Sequence, residues 1–138
     1  MRYGGVDRAA VDLSEFVQPF GRFFVGLLDG VTVAIGGWRR IDDFAEHTVE
    51  IKRMYVAPAF RGRGLSRRML AELERSAADA GARRIVLITG DRNVEAIALY
   101  ESSGYEPAPG FGHYACEPWA KFYGKAICKF GNTARLKD

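Results

Sequence analysis

Between Val56 and Ser66 the chain reads Val-Ala-Pro-Ala-Phe-Arg-Gly-Arg-Gly-Leu-Ser. Few local structures accommodate that string. A strand arriving at Val56 must end by Pro58, because proline donates no ladder hydrogen bond. Gly62 and Gly64 let the backbone take positive φ and approach a ligand closely. A helix beginning near Leu65 then presents unpaired N–H groups and the positive end of its dipole to the turn. Such a turn binds anions, and a pyrophosphate suits it. Arg61 and Arg63 would add charge-assisted hydrogen bonds, Leu65 and Ser66 would supply backbone N–H groups, and Arg67 or Arg68 could meet a further phosphate. Taken alone, the same string also describes a turn that merely starts a helix.

The flanking segments place this turn in an α/β chain. Val6, Ala9, Ala10, Leu13, Phe16 and Val17 recur at helical spacing and predict a short helix before Pro19. Arg22 to Leu28 and Val31 to Arg39 are apolar and strand-like, and Asp29-Gly30 between them signals a β-hairpin. Thr48 to Val56 is a third strand. After the turn, Leu65, Met69, Leu70, Leu73, Ala77 and Ala80 form one apolar stripe of a helix that Gly81 ends. Ile85 to Ile88 is a buried strand, Asn93 to Ser102 a second helix, and Lys121 to Phe130 a last strand. Strand, helix, strand predicts a parallel neighbour for the third strand.

Composition narrows the partners. The 138 residues carry a formal charge of +3, with four arginines at 61, 63, 67 and 68 and acidic residues at 42, 43, 46 and 50. This local basic cluster favours a small anion over a nucleic-acid backbone, for which interleaved aromatics are missing. No stretch has the length of a membrane span, and the first ten residues lack the apolar core of a signal peptide. A single cytoplasmic domain over 1–138 is the expectation. Cys116 and Cys128 have neither metal-ligand spacing nor a histidine pair beside them, so free thiols and no metal are expected.

The strand ending Val56-x-Pro58, then Arg61-x-x-Gly64-x-Ser66, then a helix, resembles the acetyl-CoA motif of the GNAT N-acetyltransferase superfamily, with Ser66 where Gly or Ala is usual. Asn93, Ala96, Tyr100, Gly104 and Tyr105 match a second motif of that family. The likeness runs from Arg22 to about Phe130. It implies the GNAT fold: a central, twisted, mixed sheet with an antiparallel hairpin and a parallel βαβ unit that holds acetyl-CoA. Relatives begin with a strand and one or two helices before the hairpin, whereas about twenty residues precede Arg22, so the chain reads as shortened at its N-terminus. An exposed hairpin edge would then be open to a second copy, giving a homodimer.

The resemblance also implies the chemistry. An amine attacks a thioester carbonyl, which requires removing the proton of an ammonium whose pKa is about 10.4. Glu50 matches a strand glutamate that serves some relatives as a water-mediated base; a plain ion-paired glutamate fits the sequence equally. Other relatives place a glutamate on the next strand, where this chain has Ile88. Tyr100 occupies the slot of the acid that protonates the CoA thiolate, with core packing as its alternative. Asn93 would bind the cosubstrate or cap its helix. Backbone amides of Met54, Tyr55 and Val56 would pair with the pantetheine arm and hold the thioester oxygen. His113, Trp119, Phe122 and Tyr123 read first as loop or packing residues. The expected activity is acetyl transfer from acetyl-CoA to a small-molecule or peptide amine, with a non-catalytic CoA-binding module as the alternative.

Overall fold

Strand β1 (Gly21–Leu28) turns into β2 (Val31–Arg40) through Asp29 and Gly30, both at positive φ. That pair of left-handed residues gives the tight turn whose twist suits a hairpin. The structure is a computed structural model that describes residues 16–17, 20–41 and 47–128. The expected helix over residues 6–17 therefore lies outside the described residues, except for Phe16 and Val17. Phe16 is buried and packs on Phe23, ring centroids 5.5 Å apart.

Strand β3 (Thr48–Val56) leads through a single 3-10 turn, Pro58–Phe60, into α1 (Leu65–Asp79); then come β4 (Arg84–Gly90), α2 (Val94–Ser102), β5 (Glu106–Pro107) and β6 (Ala120–Ala126). The six strands order as β1-β2-β3-β4-β6-β5. Among the described residues, only β3 and β4 pair in parallel, joined by α1. The last strand ends at Ala126 rather than continuing to Phe130, and it inserts antiparallel between β4 and the two-residue β5. Its poor apolar alternation hid the register, because Tyr123 faces one core and Phe122 another.

Alternation along the strands divides the sheet into two faces. Trp38, Val49, Ile51, Ile85, Leu87 and Tyr123 belong to the main core with Met69, Leu70, Leu73 and Ala77 of α1. Full burial of an aliphatic side chain such as Val49, Leu73 or Ile85 contributes roughly 1.5–3 kcal/mol. Gly36 lets α1 come close, since a Cβ there would meet Leu73 Cδ1 and Met69 Cγ at 3.1 Å. The indole Nε1 of Trp38 donates to Ser76 Oγ at 3.0 Å, so the one polar atom of this buried ring is satisfied. The opposite face carries a smaller cluster of Ile41, Val86 and Phe111, with Ile88 and Phe122 packed against it.

Candidate acyl-CoA site

The parallel pairing of β3 with β4 consists of Thr48 with Arg84, Val49 with Ile85 and Glu50 with Val86, and it goes no further. Beyond Glu50 the two strands run on to Val56 and Gly90 without a ladder between them, so the sheet opens. Here β3 is also bulged. Its register against β2 shifts between Ile35 and Gly37, and Arg53 stands at φ 64. An extra residue at that point re-aims the backbone that follows, which is the stretch Met54 to Val56.

A cleft of about 620 Å³ lies over this opening. Met54, Tyr55 and Val56 line it from β3; Arg61, Gly62 and Gly64 from the turn; Leu65 and Ser66 from α1; Asn93 and Tyr100 from α2. One continuous surface thus gathers these sequence-derived positions, although Tyr100 lies 44 residues beyond Val56. Two expected residues are not in its lining. Arg63 turns its guanidinium over the Phe60 ring, 5.1 Å from the centroid, and Glu50 belongs to the other face of the sheet. Phe60, Glu95 and Leu99 line the cleft without having been singled out from sequence. Leu99 could have been found, since helical spacing from Asn93 and Ala96 places it on the same face of α2.

The floor of the cleft fits an anion. Gly64 caps α1 with φ 79 and ψ 12, no side chain caps the helix, and no acidic residue stands in its first turn. The amides of that turn are therefore left to a ligand, and the helix dipole favours a negative one. Arg61 Nε donates to the Val56 carbonyl at 2.9 Å, and its guanidinium lies over Tyr55, 5.3 Å from the ring centroid. This pins the end of β3 to the turn. Arg67 bridges from α1 to the far end of α2, donating to Ser103 Oγ at 3.1 Å and to Ser102 Oγ at 3.0 Å. Asn93 accepts from the Ala96 amide at 3.1 Å, so it caps α2 as well as lining the cleft. The residues present therefore suit a pyrophosphate at α1, with the arm of the same molecule running along β3.

Tyr100 reaches from α2 towards β3, its hydroxyl 3.9 Å from Met54 Sδ. Its ring meets Tyr105 edge-on at 5.7 Å and Tyr123 in a tilted contact at 6.4 Å. Both supporting phenols bind carboxylates. Tyr105 donates to Glu74 Oε2 at 2.8 Å, a carboxylate that also takes Lys125 Nζ at 3.2 Å, and Tyr123 donates to Glu101 Oε2 at 2.9 Å. Burial, then the Glu74 charge and hydrogen bond, push the Tyr105 phenol far above its ordinary range; burial and Glu101 push Tyr123 in the same direction. Hence Tyr100 is seated by two phenols that stay protonated, which fixes its position without placing a phenolate beside it.

Glu50 is buried, and Arg39 donates to its Oε1 from Nε at 3.1 Å and from Nη2 at 2.8 Å. Its chain neighbours Val49 and Ile51 face α1, so the Glu50 side chain faces the other way, level with Val86 at the point where the strands part. His113 lies in the loop between β5 and β6, ring centroid 4.8 Å from Tyr114, and Trp119 is exposed. Cys116 and Cys128 are exposed free thiols. Among the described residues there is no helix long and apolar enough to cross a membrane.

A mixed sheet whose parallel pair parts over a glycine-capped helix N-terminus defines an acyl-CoA-binding α/β transferase. The chain belongs to the GNAT acetyltransferases, acyl-CoA-dependent N-acyltransferases: residues 4–105 match the model of the acetyltransferase (GNAT) family. An IAA acetyltransferase from Azospirillum brasilense is 34% identical over 117 residues, covering 85% of this chain and 75% of the relative. Human N-acetylaspartate synthetase is 32% identical over 108 residues, 78% of this chain but 35% of that protein. Among solved structures, one described as an acyl-CoA N-acyltransferase from Klebsiella pneumoniae superposes with a TM-score of 0.77 at 27% identity, covering 89% of this chain and 83% of that one. A GNAT acetyltransferase from Elizabethkingia anophelis with acetyl-CoA bound shares the fold at a TM-score of 0.66 and 16% identity, covering 78% and 76%. Membership in this enzyme family takes the place of the non-catalytic alternative.

Proposed function

We propose that this enzyme transfers the acetyl group of acetyl-CoA directly to a primary amine while both are bound, with Glu50 as water-mediated base and Tyr100 as acid. The observation that carries the reading is the parting of β3 and β4 immediately beyond Glu50 and Val86, with the Tyr100 hydroxyl reaching towards β3 from the cleft side. Cosubstrate and amine can then meet through the gap from opposite faces of the sheet. The cosubstrate supplies an activated acyl carbon. The chain's own groups do the rest. Amides of the first turn of α1 hold the phosphates, and the backbone of Met54 to Val56 holds the arm and the thioester oxygen. Arg39 orients the Glu50 carboxylate, which takes a proton from the ammonium through water so that the nitrogen can attack. As the nitrogen–carbon bond forms and the carbon–sulfur bond breaks, Tyr100 gives its proton to the departing sulfur, the nitrogen sheds its second surplus proton to water to leave a neutral amide, and solvent restores Glu50 and Tyr100.

The direct test is thiol release from acetyl-CoA over a broad panel of small amines and peptide N-termini. Turnover with a saturable dependence on both substrates supports the reading. Tight CoA binding without thiol release on any amine refutes it.

A further inference from the structure

Ile88 is the place to look for the acceptor's character. It stands on β4 two residues past Val86, the last residue paired with β3, so it borders the gap on the sheet face away from α1 and α2. Its cross-strand neighbour on that face is Phe122 of β6. Both are half-buried, whereas Val86 and Phe111 behind them are buried. Phe111 meets Phe122 edge-on, ring centroids 5.2 Å apart at 67°. The loop that carries Phe111 is anchored. Ala108 N donates to Phe122 O at 2.8 Å, Asp91 N to Trp119 O at 2.8 Å, and a Cβ on Gly110 would stand 2.8 Å from the Ala115 carbonyl oxygen. An apolar wall of fixed shape therefore lines the gap beside Glu50, and the carboxylate there is already matched by Arg39.

We propose that Ile88, Phe122 and Phe111 form the acceptor wall, and that the preferred acceptor is a small primary amine carrying an apolar, aromatic substituent rather than a hydroxylated or polycationic one. This rests on the transferase reading and names the substrate class of the same site. A half-exposed isoleucine beside a phenylalanine edge gains by removing a ring from water; it offers a hydroxyl or a second ammonium no hydrogen bond in exchange. Among the described residues, the Glu50 carboxylate beside the wall already pairs with Arg39, which lowers its pull on a second ammonium.

The experiment compares kcat/KM for 2-phenylethylamine and ethanolamine, read by CoA thiol release. The aromatic amine is expected to lead by about tenfold or more, the scale of one apolar group in a pocket. Ile88→Thr and Phe122→Leu are each expected to lower that ratio about fourfold, the effect of roughly one methylene. A ratio of one or less, or variants that slow both amines alike, overturns the wall while leaving the transferase reading intact. Should no amine release thiol, the transferase reading fails, and saturation-transfer NMR of 2-phenylethylamine on the CoA-loaded protein decides the wall separately. Transfer to the phenyl ring that weakens in Ile88→Thr upholds it; no transfer in the wild type overturns it.

Discussion

Replacing Gly64 by alanine tests the phosphate cradle and its conformation together. Gly64 holds φ 79 and ψ 12, and an added Cβ would find nothing within 4 Å. The substitution therefore brings no clash, only the cost of a left-handed conformation in a residue with a Cβ, about 1–2 kcal/mol. Alanine also restricts the unfolded chain, which returns about 0.4–1 kcal/mol. The net loss is about 1 kcal/mol, or about 3–5 °C in Tm for a chain of this size. If the turn relaxes towards negative φ to escape the strain, the first amides of α1 rotate away from the ligand. The dipole and amide contribution to an anion, about 0.3–1 kcal/mol and up to ~2 when partly buried, is then reduced, and the Kd for CoA should rise about three- to tenfold. Thermal unfolding and calorimetric titration with CoA read the two effects. Gly37→Ala is the control: its Cβ would meet Phe16 Cδ1 at 2.8 Å on the sheet face away from the cleft, so it should lose about 1–3 kcal/mol by overpacking while CoA affinity is kept. A folded Gly64→Ala protein with a lowered Tm and an unchanged Kd would refute the placement of the phosphates at α1. An unchanged Tm would refute the need for the left-handed cap.

Tyr100→Phe keeps the ring contacts with Tyr105 and Tyr123 and removes only the hydroxyl, so kcat should fall about 100-fold with little change in KM for acetyl-CoA; equal kcat would remove the assigned acid. Glu50→Gln keeps an acceptor for Arg39 but no base, and kcat should fall about 100-fold while the acidic limb set by the carboxylate disappears from the pH profile; a wild-type profile would sink that role. Tyr105 is protonated in the fold to higher pH than in the unfolded chain, because of burial and Glu74. Its stabilising contribution is present below the unfolded phenol's pKa of about 10 and is lost as pH rises beyond it, at up to about 1.4 kcal/mol per pH unit. Urea unfolding at successive alkaline pH values should show that loss in the wild type and less of it in Tyr105→Phe; parallel curves would contradict it.

Local order was legible wherever one residue type forces one geometry. Asp29-Gly30 predicts the hairpin turn, Pro58 the end of β3, Gly64 the start of α1, and Asn93 the cap of α2, because each depends on backbone φ or on a missing or supplied hydrogen bond within a few residues. Their spacing also brought Met54, Arg61, Asn93 and Tyr100 into one expected site, and the cleft gathers them. Arg63 is not among the residues lining the cleft, and the neighbour its guanidinium meets is equally local, the Phe60 ring three residues earlier. The partners of distant side chains left no trace in the string. Ser76 under Trp38, Glu74 beneath Tyr105 and Lys125, and Arg39 on Glu50 are 38, 31 or 51, and 11 residues away.

The glycine–arginine turn between a proline-ended strand and an apolar helix determined, from sequence alone, that a helix N-terminus would open at a glycine cap. Tertiary structure decided what surrounds it. Parallel pairing that stops at Glu50 and Val86 opens the sheet, and β6 inserts beside β4 to place Phe122 against Ile88. Neither fact is local: strand order and the length of a ladder depend on how whole faces pack, and one residue of register decides which side of the sheet a side chain serves.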